Sequence, residues 1–292
     1  MTRSTFLHLR IPFSYFLMPV FLLAACLADK VDWMNFTISF AVIHLLLYPA
    51  SNAFNSLYDR DTSSIGCLEN PPVVEKDLLM VSLSFDAAAV IAGFLISWQF
   101  AAAMFFYGVC SKLYSFDKTR LKRRPVSSWL GTSLVQGGFI FLAANSAIQP
   151  GGGFHAPPVK LLLAAGIVTI FLMGFYPTTQ IYQHAEDRRR GDVTMSMLLG
   201  TRGTFIFSGL ALLAASVLFC IFFGSYYEAK TATALILLLM PSAAYFAKWF
   251  MSCLEDNGKA DYGHAMRFNV ISATGMNLFC LLFYLSQRHG CF

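Results

Sequence analysis

Charged side chains are scarce in this chain, and their scarcity excludes a soluble protein. Only 13% of the 292 residues are charged and 57% are hydrophobic, whereas an ordinary globular domain is about 25% charged. A soluble core of this size needs a polar surface to cover it, and the side chains for that surface are missing. The composition therefore predicts an integral membrane protein.

Other signatures are also absent. The seven cysteines are scattered without a Cys-x-x-Cys pair, so neither a disulfide framework nor a zinc site is indicated. No ten-residue segments of alternating hydrophobicity occur, which excludes a membrane β-barrel. Without a Walker loop or a Rossmann fingerprint, a nucleotide is not an obvious ligand.

Apolar residues are abundant, and they occur in blocks of about 17 to 25, the length of a helix that crosses about 30 Å of hydrocarbon. Backbone groups in lipid must pair within their own segment, so each block is predicted to be helical. We expect an all-α membrane protein of about nine transmembrane helices in a single domain, residues 1–292. The predicted spans are 12–28, 35–55, 77–98, 100–115, 128–148, 159–183, 203–224, 230–250 and 265–286.

Basic residues predict the orientation of these helices. Seventeen of the twenty-one lie at the N-terminus or around the loops after spans two, four, six and eight. By the positive-inside rule, the N-terminus and these loops are cytoplasmic in a multi-pass protein of the cell inner membrane. The net charge of +5 is thus a topology signal and does not indicate nucleic-acid binding. A lipoprotein signal peptide ending at Cys26 is the alternative for the N-terminus, although Pro12 and Pro19 interrupt its apolar run.

An internal repeat is the most informative feature of the sequence. Residues 48–60 read YPASNAFNSLYDR, and residues 176–188 read YPTTQIYQHAEDR. The Tyr-Pro and Asp-Arg pairs recur 128 positions apart, and two asparagines of the first copy become glutamines in the second. Two pseudo-repeated halves, with motif regions 48–66 and 176–192, would place both copies on the same side of the membrane.

Each copy carries amides and a carboxylate at helical spacing. Positions i, i+3 and i+7 of a helix share one face within about 60°. The two expected polar stripes are Asn52, Asn55 and Asp59 in the first copy, and Gln180, Gln183 and Asp187 in the second. Amide and carboxylate oxygens are hard ligands of the kind that Mg²⁺ prefers. The alternative is that these amides form hydrogen bonds between neighbouring helices. Two matched stripes favour the metal site over this alternative.

A basic loop, LYSFDKTRLKRRP at residues 113–125, follows span four. Topology explains part of this cluster, but a polyanion held by Mg²⁺ also needs cations around it. A diphosphate is the polyanion that such a set typically binds. The predicted diphosphate-binding residues are Lys118, Arg120, Lys122, Asn52, Arg60 and Arg188.

These motifs resemble those of the UbiA superfamily of intramembrane prenyltransferases, over essentially the whole chain. The Asn-x-x-x-Asp-x-x-x-Asp motif of that family is matched by Asn55 and Asp59, but Ser63 stands at its third position. The Tyr-x-x-x-Lys element of the family is matched by Tyr114 and Lys118.

The second aspartate-rich motif of the family matches only in part. Asp187 is its middle aspartate, Gln180 stands at the first position and Gly191 at the third. Asp192 lies beside the third position, and Asp61 lies close to the site of the aspartate lost in the first motif. Asp61 points away from the site if the helix continues, and enters it if the helix ends near residue 59.

The resemblance implies a bundle with a lateral, lipid-facing cavity and a magnesium-dependent transfer of a prenyl group. The donor would be an isoprenyl diphosphate and the acceptor a small or lipidic molecule. The implied catalytic residues are Asp59, Asp187, Lys118 and Tyr114. The implied metal ligands are Asn55, Asp59, Asp187, Gln180 and Gln183. Tyr58 and Tyr114 are candidates for screening an allylic cation.

Two other functions are compatible with the sequence. A non-catalytic member of the same fold would bind an isoprenoid or a phospholipid without cleaving it. A transporter is less compatible, because its polar site should lie near the middle of the bilayer, whereas both motif regions lie at the ends of predicted spans.

The predicted orientation is open to a labelling experiment. Cysteines introduced at positions 62, 121 and 190 should not react with a membrane-impermeant reagent in intact cells, because the positive-inside rule places all three in the cytoplasm. Reaction of these positions before the cells are permeabilised would contradict the prediction.

Overall fold

The computed structural model describes residues 1–153 and 156–289. Within these residues the regular structure is helical, and the one β-bridge, between Ile65 and Leu68, is isolated. The helices are α1 (Arg3–His8), α2 (Met18–Cys26), α3 (Trp33–Asp59), α4 (Leu78–Gly93), α5 (Trp98–Ser115), α6 (Pro125–Ile148), α7 (Val159–Thr178), α8 (His184–Arg190), α9 (Met195–Tyr226), α10 (Ala229–Glu255) and α11 (Tyr262–His289).

The all-α membrane class is confirmed, but the count of nine spans stays a prediction. Six helical stretches in the described part are long and apolar enough to cross a membrane: α3, α6, α7 with α8, α9, α10 and α11. A seventh is the N-terminal pair Arg3–Phe16 and Met18–Cys26, which is bent by 45°. Helix α4 has only 16 residues, fewer than the roughly 20 that a straight span needs.

Proline shapes both copies of the repeat. In the first copy, α3 widens into a π-helical turn over Val42–Leu47, just before Pro49. In the second copy, Pro177 lacks the amide hydrogen that would bond to the Met173 carbonyl. The Trp129 indole donates to that carbonyl instead, at 2.9 Å, and α7 ends at Thr178.

The second copy is therefore not one helix, and the expectation of a second helical stripe is wrong. After α7 the chain forms a 3₁₀ turn over Ile181–Gln183 and then the short helix α8. Gln180, Gln183 and Asp187 thus lie on three different local structures. The first stripe is confirmed, because α3 is helical without a break from Tyr48 to Asp59.

Glycines allow the helices to approach closely. A Cβ atom on Gly138 would lie 2.8 Å from Thr169 Oγ1, and the Gly138 amide donates to that hydroxyl at 3.1 Å. This contact joins α6 to α7. Between α10 and α11, a Cβ atom on Gly275 would lie 2.5 Å from the Leu238 carbonyl oxygen. Because that neighbour is backbone, it cannot move away by a change of rotamer.

Gly275→Ala should therefore destabilise the bundle. Overpacking against a rigid neighbour costs about 1–3 kcal/mol, so we expect a lower midpoint of thermal unfolding in detergent. Gly166→Ala in α7 is the matched control, because its Cβ atom has nothing within 4 Å and alanine favours a helix by up to about 1 kcal/mol. Equal midpoints for the two variants would contradict the close α10–α11 contact.

Candidate active site

One cavity of about 350 Å³ lies between the helices, and its charged groups are gathered at one end. This charged end is formed by the ends of α3 and α5, the loop after α5, helix α8 and the segment before α2. Its charged lining residues are Arg10, Asp59, Asp61, Lys122, Asp187 and Arg190. These charges line a cavity and do not face lipid, as expected for ionisable groups in a membrane protein. Most of the remaining wall is apolar.

The first motif supplies one side of the charged end. Asn52, Asn55 and Asp59 all line the cavity, and the Asn55 amide donates to Asp59 Oδ2 at 2.7 Å. Helix α3 ends at Asp59 because Arg60 adopts a left-handed conformation, with φ 46° and ψ 44°. The chain consequently turns back, and Asp61 also lines the cavity. Of the two expectations for Asp61, the one in which it enters the site is realised.

The second motif supplies Asp187 from the opposite side. Asp187 is 6% exposed and lines the cavity, and no described residue donates a hydrogen bond to its carboxylate or forms an ion pair with it. Gln180 and Gln183 line the same cavity, but backbone groups engage both amides. Gln180 Oε1 accepts from the Ser196 amide at 3.2 Å, and Gln183 Nε2 donates to the Ser64 carbonyl at 3.5 Å.

Gly191 explains how Asp192 enters the site region. With φ 71° and ψ 22°, it ends α8 in the left-handed conformation that glycine adopts without steric cost. The Asp192 amide then donates to the Asp187 carbonyl at 3.0 Å, and the Gly191 amide donates to the Arg188 carbonyl at 3.2 Å. This pair of bonds is a Schellman motif, and it turns the Asp192 side chain into the protein.

The Asp192 carboxylate is completely buried and binds three cations. Arg120 donates to it through Nε and Nη2, both at 2.9 Å. Lys122 Nζ lies 3.1 Å away, and Arg123 Nε lies 3.1 Å away. Lys122 Nζ also lies 2.7 Å from Asp59 Oδ1, and Arg120 Nη2 lies 3.3 Å from the same oxygen. The loop after α5 is thereby bound to both motifs.

These ion pairs shift the pKa values of the loop residues. Burial alone would raise the pKa of Asp192, but the hydrogen bonds from Arg120 and the charge of Lys122 lower it to about 2. Burial alone would lower the pKa of Lys122, but the charges of Asp59 and Asp192 raise it above its ordinary value. Asp192 and Lys122 are therefore both charged at neutral pH.

The structure distinguishes among the cations predicted in this loop. Lys118 is exposed and does not line the cavity. Arg120 has a left-handed backbone, with φ 32° and ψ 60°, and a 3₁₀ turn follows over Leu121–Arg123. This reversal directs Lys122 into the cavity and leaves Arg120 buried behind it.

Of the other predicted residues, some line the cavity and some do not. Arg60 and Arg188 are exposed and lie outside the cavity lining, as does Tyr58. Tyr114 lines the cavity, and its hydroxyl lies 2.5 Å from the hydroxyl of Tyr176.

Two site residues were missed by the sequence analysis. Arg10 is 7% exposed, lines the cavity, and donates to Asn55 Oδ1 at 3.3 Å. Its Nε hydrogen has no partner among the described residues. Arg190 forms ion pairs with Asp61 and with Glu186. Three consecutive arginines occupy positions 188–190, and their sequence does not show which of them faces inward. Arg10 lies far from both motif regions in the sequence, so no local pattern connects it with the site.

Ser63 stands at the position of the lost aspartate in the first motif. Its hydroxyl donates to Glu186 Oε2 at 2.9 Å. Since Glu186 lies on α8 next to Asp187, this bond connects the two motif regions directly. Ser63 thus contributes to the position of α8.

Comparisons with known proteins agree with this architecture. A model of the UbiA prenyltransferase family matches residues 16–271. A UbiA homolog from Archaeoglobus fulgidus, solved with GPP and Mg²⁺, superposes with a TM-score of 0.69 at 18% identity over 97% of this chain and 99% of that chain. The homolog with DMAPP and Mg²⁺ gives 0.68 at 17% identity over 97% and 99%.

A structure described as digeranylgeranylglyceryl phosphate synthase gives a TM-score of 0.58 at 12% identity over 97% of both chains. No curated protein sequence matches the chain. At these identities, the structural likenesses show a shared fold and nothing about the substrate.

Asp192→Asn tests the importance of the buried ion network. Removing one partner of a buried ion pair costs about 3–5 kcal/mol, so thermal unfolding in detergent should occur at a clearly lower temperature. Asp117→Asn is the matched control, because Asp117 pairs with the same Arg120 at 3.0 Å but its side chain is 68% exposed. An exposed pair contributes only about 0–1 kcal/mol. Similar midpoints for the two variants would contradict a structural role for Asp192.

Proposed function

The chain belongs to the UbiA prenyltransferase family, and on that premise we propose that it transfers a prenyl group from an isoprenyl diphosphate to an acceptor within the membrane, with Mg²⁺. The observation that carries the proposal is the charged end of the cavity, where carboxylates and cations meet beside apolar walls. Structures of the same fold were solved with GPP or DMAPP and Mg²⁺, which supports this choice of donor and metal. We place the charged end at the cytoplasmic side of the inner membrane.

The donor set at the charged end fits Mg²⁺. Asp187 is a buried carboxylate that no described side chain pairs with, and buried charges normally have a partner or a metal. Asn55 and Asp59 line the same end. No three acidic, histidine or cysteine side chains in the described part meet closely enough to hold a metal alone. Mg²⁺ does not require this, since one or two carboxylates, phosphate oxygens and waters commonly bind it.

Asn55, Asp59 and Asp187 would hold the ion, with Gln180, Gln183 and Asp61 beside them. When bound, Mg²⁺ supplies charge stabilisation to the departing diphosphate.

The protein cations have a separate task, which is to bind the diphosphate. Lys122 is bonded to Asp59 and lies on the cavity wall, so it exchanges a carboxylate oxygen for a phosphate oxygen with little movement. Arg10 brings an unpartnered N–H to the same end. Charge-assisted hydrogen bonds of this kind are about twice as strong as neutral ones. Lys118 is exposed and does not line the cavity, so it is not part of this set.

The apolar walls protect the reacting carbon from water. Phe171, Phe175 and Phe219 line the cavity, and a dry site strengthens every electrostatic interaction at its charged end. The hydrogen-bonded Tyr114 and Tyr176 hydroxyls hold two aromatic rings near that end. Aromatic rings stabilise a cation, so these two residues screen the positive charge that develops on the prenyl group as the diphosphate departs.

Asp59→Asn and Asp187→Asn should each reduce turnover by more than about a hundredfold, which corresponds to more than about 2.7 kcal/mol. Each change keeps the shape of the side chain but removes the negative charge that a hard, doubly charged ion requires. The measurement is mass detection of prenylated product from purified protein in lipid, with Mg²⁺, donors of several chain lengths and a panel of acceptors. A chelator should stop the reaction.

Glu69→Gln is the control, because Glu69 is an exposed carboxylate on the loop after α3; its activity should be retained. Full activity of Asp187→Asn would refute the role given to that residue. Magnesium-dependent binding of the diphosphate without turnover on any acceptor would favour the non-catalytic alternative.

A further inference from the structure

A hydrogen-bonded cluster, which we refer to as the Ser196 cluster, lies beside the second motif and outside the cavity lining. It consists of His184, the first residue of α8, and of Ser196 and Thr204 from α9. Ser196 and Thr204 are both 0% exposed, and none of the three residues lines the cavity. The cluster therefore acts on the site, if at all, through the residues to which it is bonded.

The hydrogen bonds of the Ser196 cluster run in one direction. The Thr204 hydroxyl donates to backbone carbonyls, that of Gly200 at 2.7 Å and that of Ser196 at 3.2 Å. A hydroxyl has only one hydrogen, so the Ser196 hydroxyl is the donor in its 2.9 Å contact with Thr204. In the 2.8 Å contact between Ser196 and His184, the ring Nε2–H is then the donor. The hydroxyl of Ser196 thus accepts one hydrogen bond and donates another.

A break in α9 brings the cluster together. Ser196 and Thr204 are eight positions apart, and eight residues of continuous α-helix span about 12 Å. Gly200 lies between them with φ 66° and ψ 173°, which is not helical and is a conformation essentially restricted to glycine. A Cβ atom at Gly200 would meet nothing within 4 Å, so the backbone conformation requires glycine and the available space does not. The break consequently lets the Ser196 hydroxyl reach Thr204.

Ser196 is attached to the second motif at two points. Its hydroxyl accepts from His184, and its backbone amide donates to Gln180 Oε1 at 3.2 Å. Gln180 precedes the 3₁₀ turn Ile181–Gln183, and His184 follows it. Ser196 is therefore bonded on both sides of the turn that leads from α7 to α8.

The position of Asp187 depends on how α8 is held. No described residue donates a hydrogen bond to the Asp187 carboxylate or forms an ion pair with it, so the helix alone determines where this carboxylate lies. Helix α8 has seven residues, and isolated helices shorter than about 12–15 residues are only marginally stable. His184 lies three residues before Asp187, so its bond to Ser196 holds the start of this helix. The turn at Gly191 holds its end.

We propose that Ser196 is a positioning residue, which holds the first turn of α8 through His184 and Gln180 so that the Asp187 carboxylate faces the bound ion and the diphosphate. This inference rests on the proposed function and adds to it a residue that contacts neither substrate. Close positioning matters, because a displacement of about 1 Å can cost a hundredfold in rate. Without the Ser196 hydroxyl, the His184 ring loses its acceptor, the start of α8 is released, and Asp187 moves with it.

The test measures ion binding and helix protection separately, with the protein in lipid nanodiscs. Mn²⁺ takes the place of Mg²⁺, and free Mn²⁺ is followed by electron paramagnetic resonance in the presence of an unreactive geranyl thiodiphosphate. Ser196→Ala and His184→Leu should each weaken Mn²⁺ binding about tenfold, because residues that orient metal ligands typically contribute 10–100-fold to affinity. Hydrogen exchange of residues 184–190, measured without ion or thiodiphosphate, should be faster in both variants.

Two further variants are the controls. His184→Gln keeps an N–H donor on a side chain of similar reach, so it should retain Mn²⁺ affinity. Ser208→Ala is the matched control, because Ser208 is also 0% exposed on α9 but its hydroxyl has no partner among the described residues. Its Mn²⁺ affinity and its exchange should equal those of the unmodified protein. His184 is only partly buried, so its two variants decide the result if Ser196→Ala does not fold.

The two measurements separate the possible failures. Unchanged exchange of residues 184–190 in Ser196→Ala and His184→Leu would overturn the attachment of α8 to Ser196. Faster exchange with unchanged Mn²⁺ affinity would overturn the positioning role. Failure of the unmodified protein to bind Mn²⁺ with the thiodiphosphate would refute the proposed function, whereas hydrogen exchange would still show whether Ser196 holds α8.

Discussion

The charged end of the cavity depends on the ion pairs of the buried Asp192 carboxylate. This carboxylate binds Arg120, Lys122 and Arg123 at once, and two of these cations also reach Asp59. The loop after α5 is thus connected to the end of α3 and to the turn after α8. Since a buried charge without a partner is costly, these three segments are held together whether or not a ligand is bound. Lys122 is consequently held at the cavity wall by the protein itself, which is the preorganised arrangement that its proposed role requires.

Strained backbone accompanies this network. Arg10, Arg60 and Arg120 all have positive φ angles, which are uncommon for residues with a side chain. Such conformations cost about 1–3 kcal/mol each and persist where the surrounding structure compensates for them. The Arg120 turn brings Lys122 inward, and the Arg60 turn brings Asp61 inward. The ion pairs and hydrogen bonds of the charged end provide the compensation, so the strain and the network depend on each other.

The structure also shows what Ser63 and Gly191 do at the two positions where the sequence departs from the family motifs. Ser63 and Gly191 occupy positions where an aspartate was expected, and neither supplies a metal ligand. Ser63 instead bonds to Glu186, and Gly191 makes the turn that buries Asp192. The site keeps Asp59 and Asp187 facing the cavity, with acidic neighbours that bind cations of the protein. Asp59 and Asp61 therefore both face the cavity and pair with cations of the protein. Asp187 faces the cavity without an ion pair, whereas Asp192 is buried among the cations that it binds.

The sequence by itself determined the membrane class, the helical fold and the face shared by Asn52, Asn55 and Asp59. These properties are local, because apolar length and backbone pairing specify a membrane helix and helical spacing specifies its face. The same spacing predicted a second helical stripe that does not exist. Pro177 removes a backbone donor in the second copy, and α7 ends at the next residue.

Only the tertiary structure decided which cations line the cavity. Lys118 and Lys122 are both lysines of the same short loop, so their sequence does not distinguish them. The left-handed turn at Arg120 does, because it brings Lys122 to the cavity and leaves Lys118 exposed. Arg10 meets Asn55 across 45 positions of chain, and Arg120 meets Asp192 across 72. Contacts between such distant segments depend on how whole helices pack, and no local pattern encodes them.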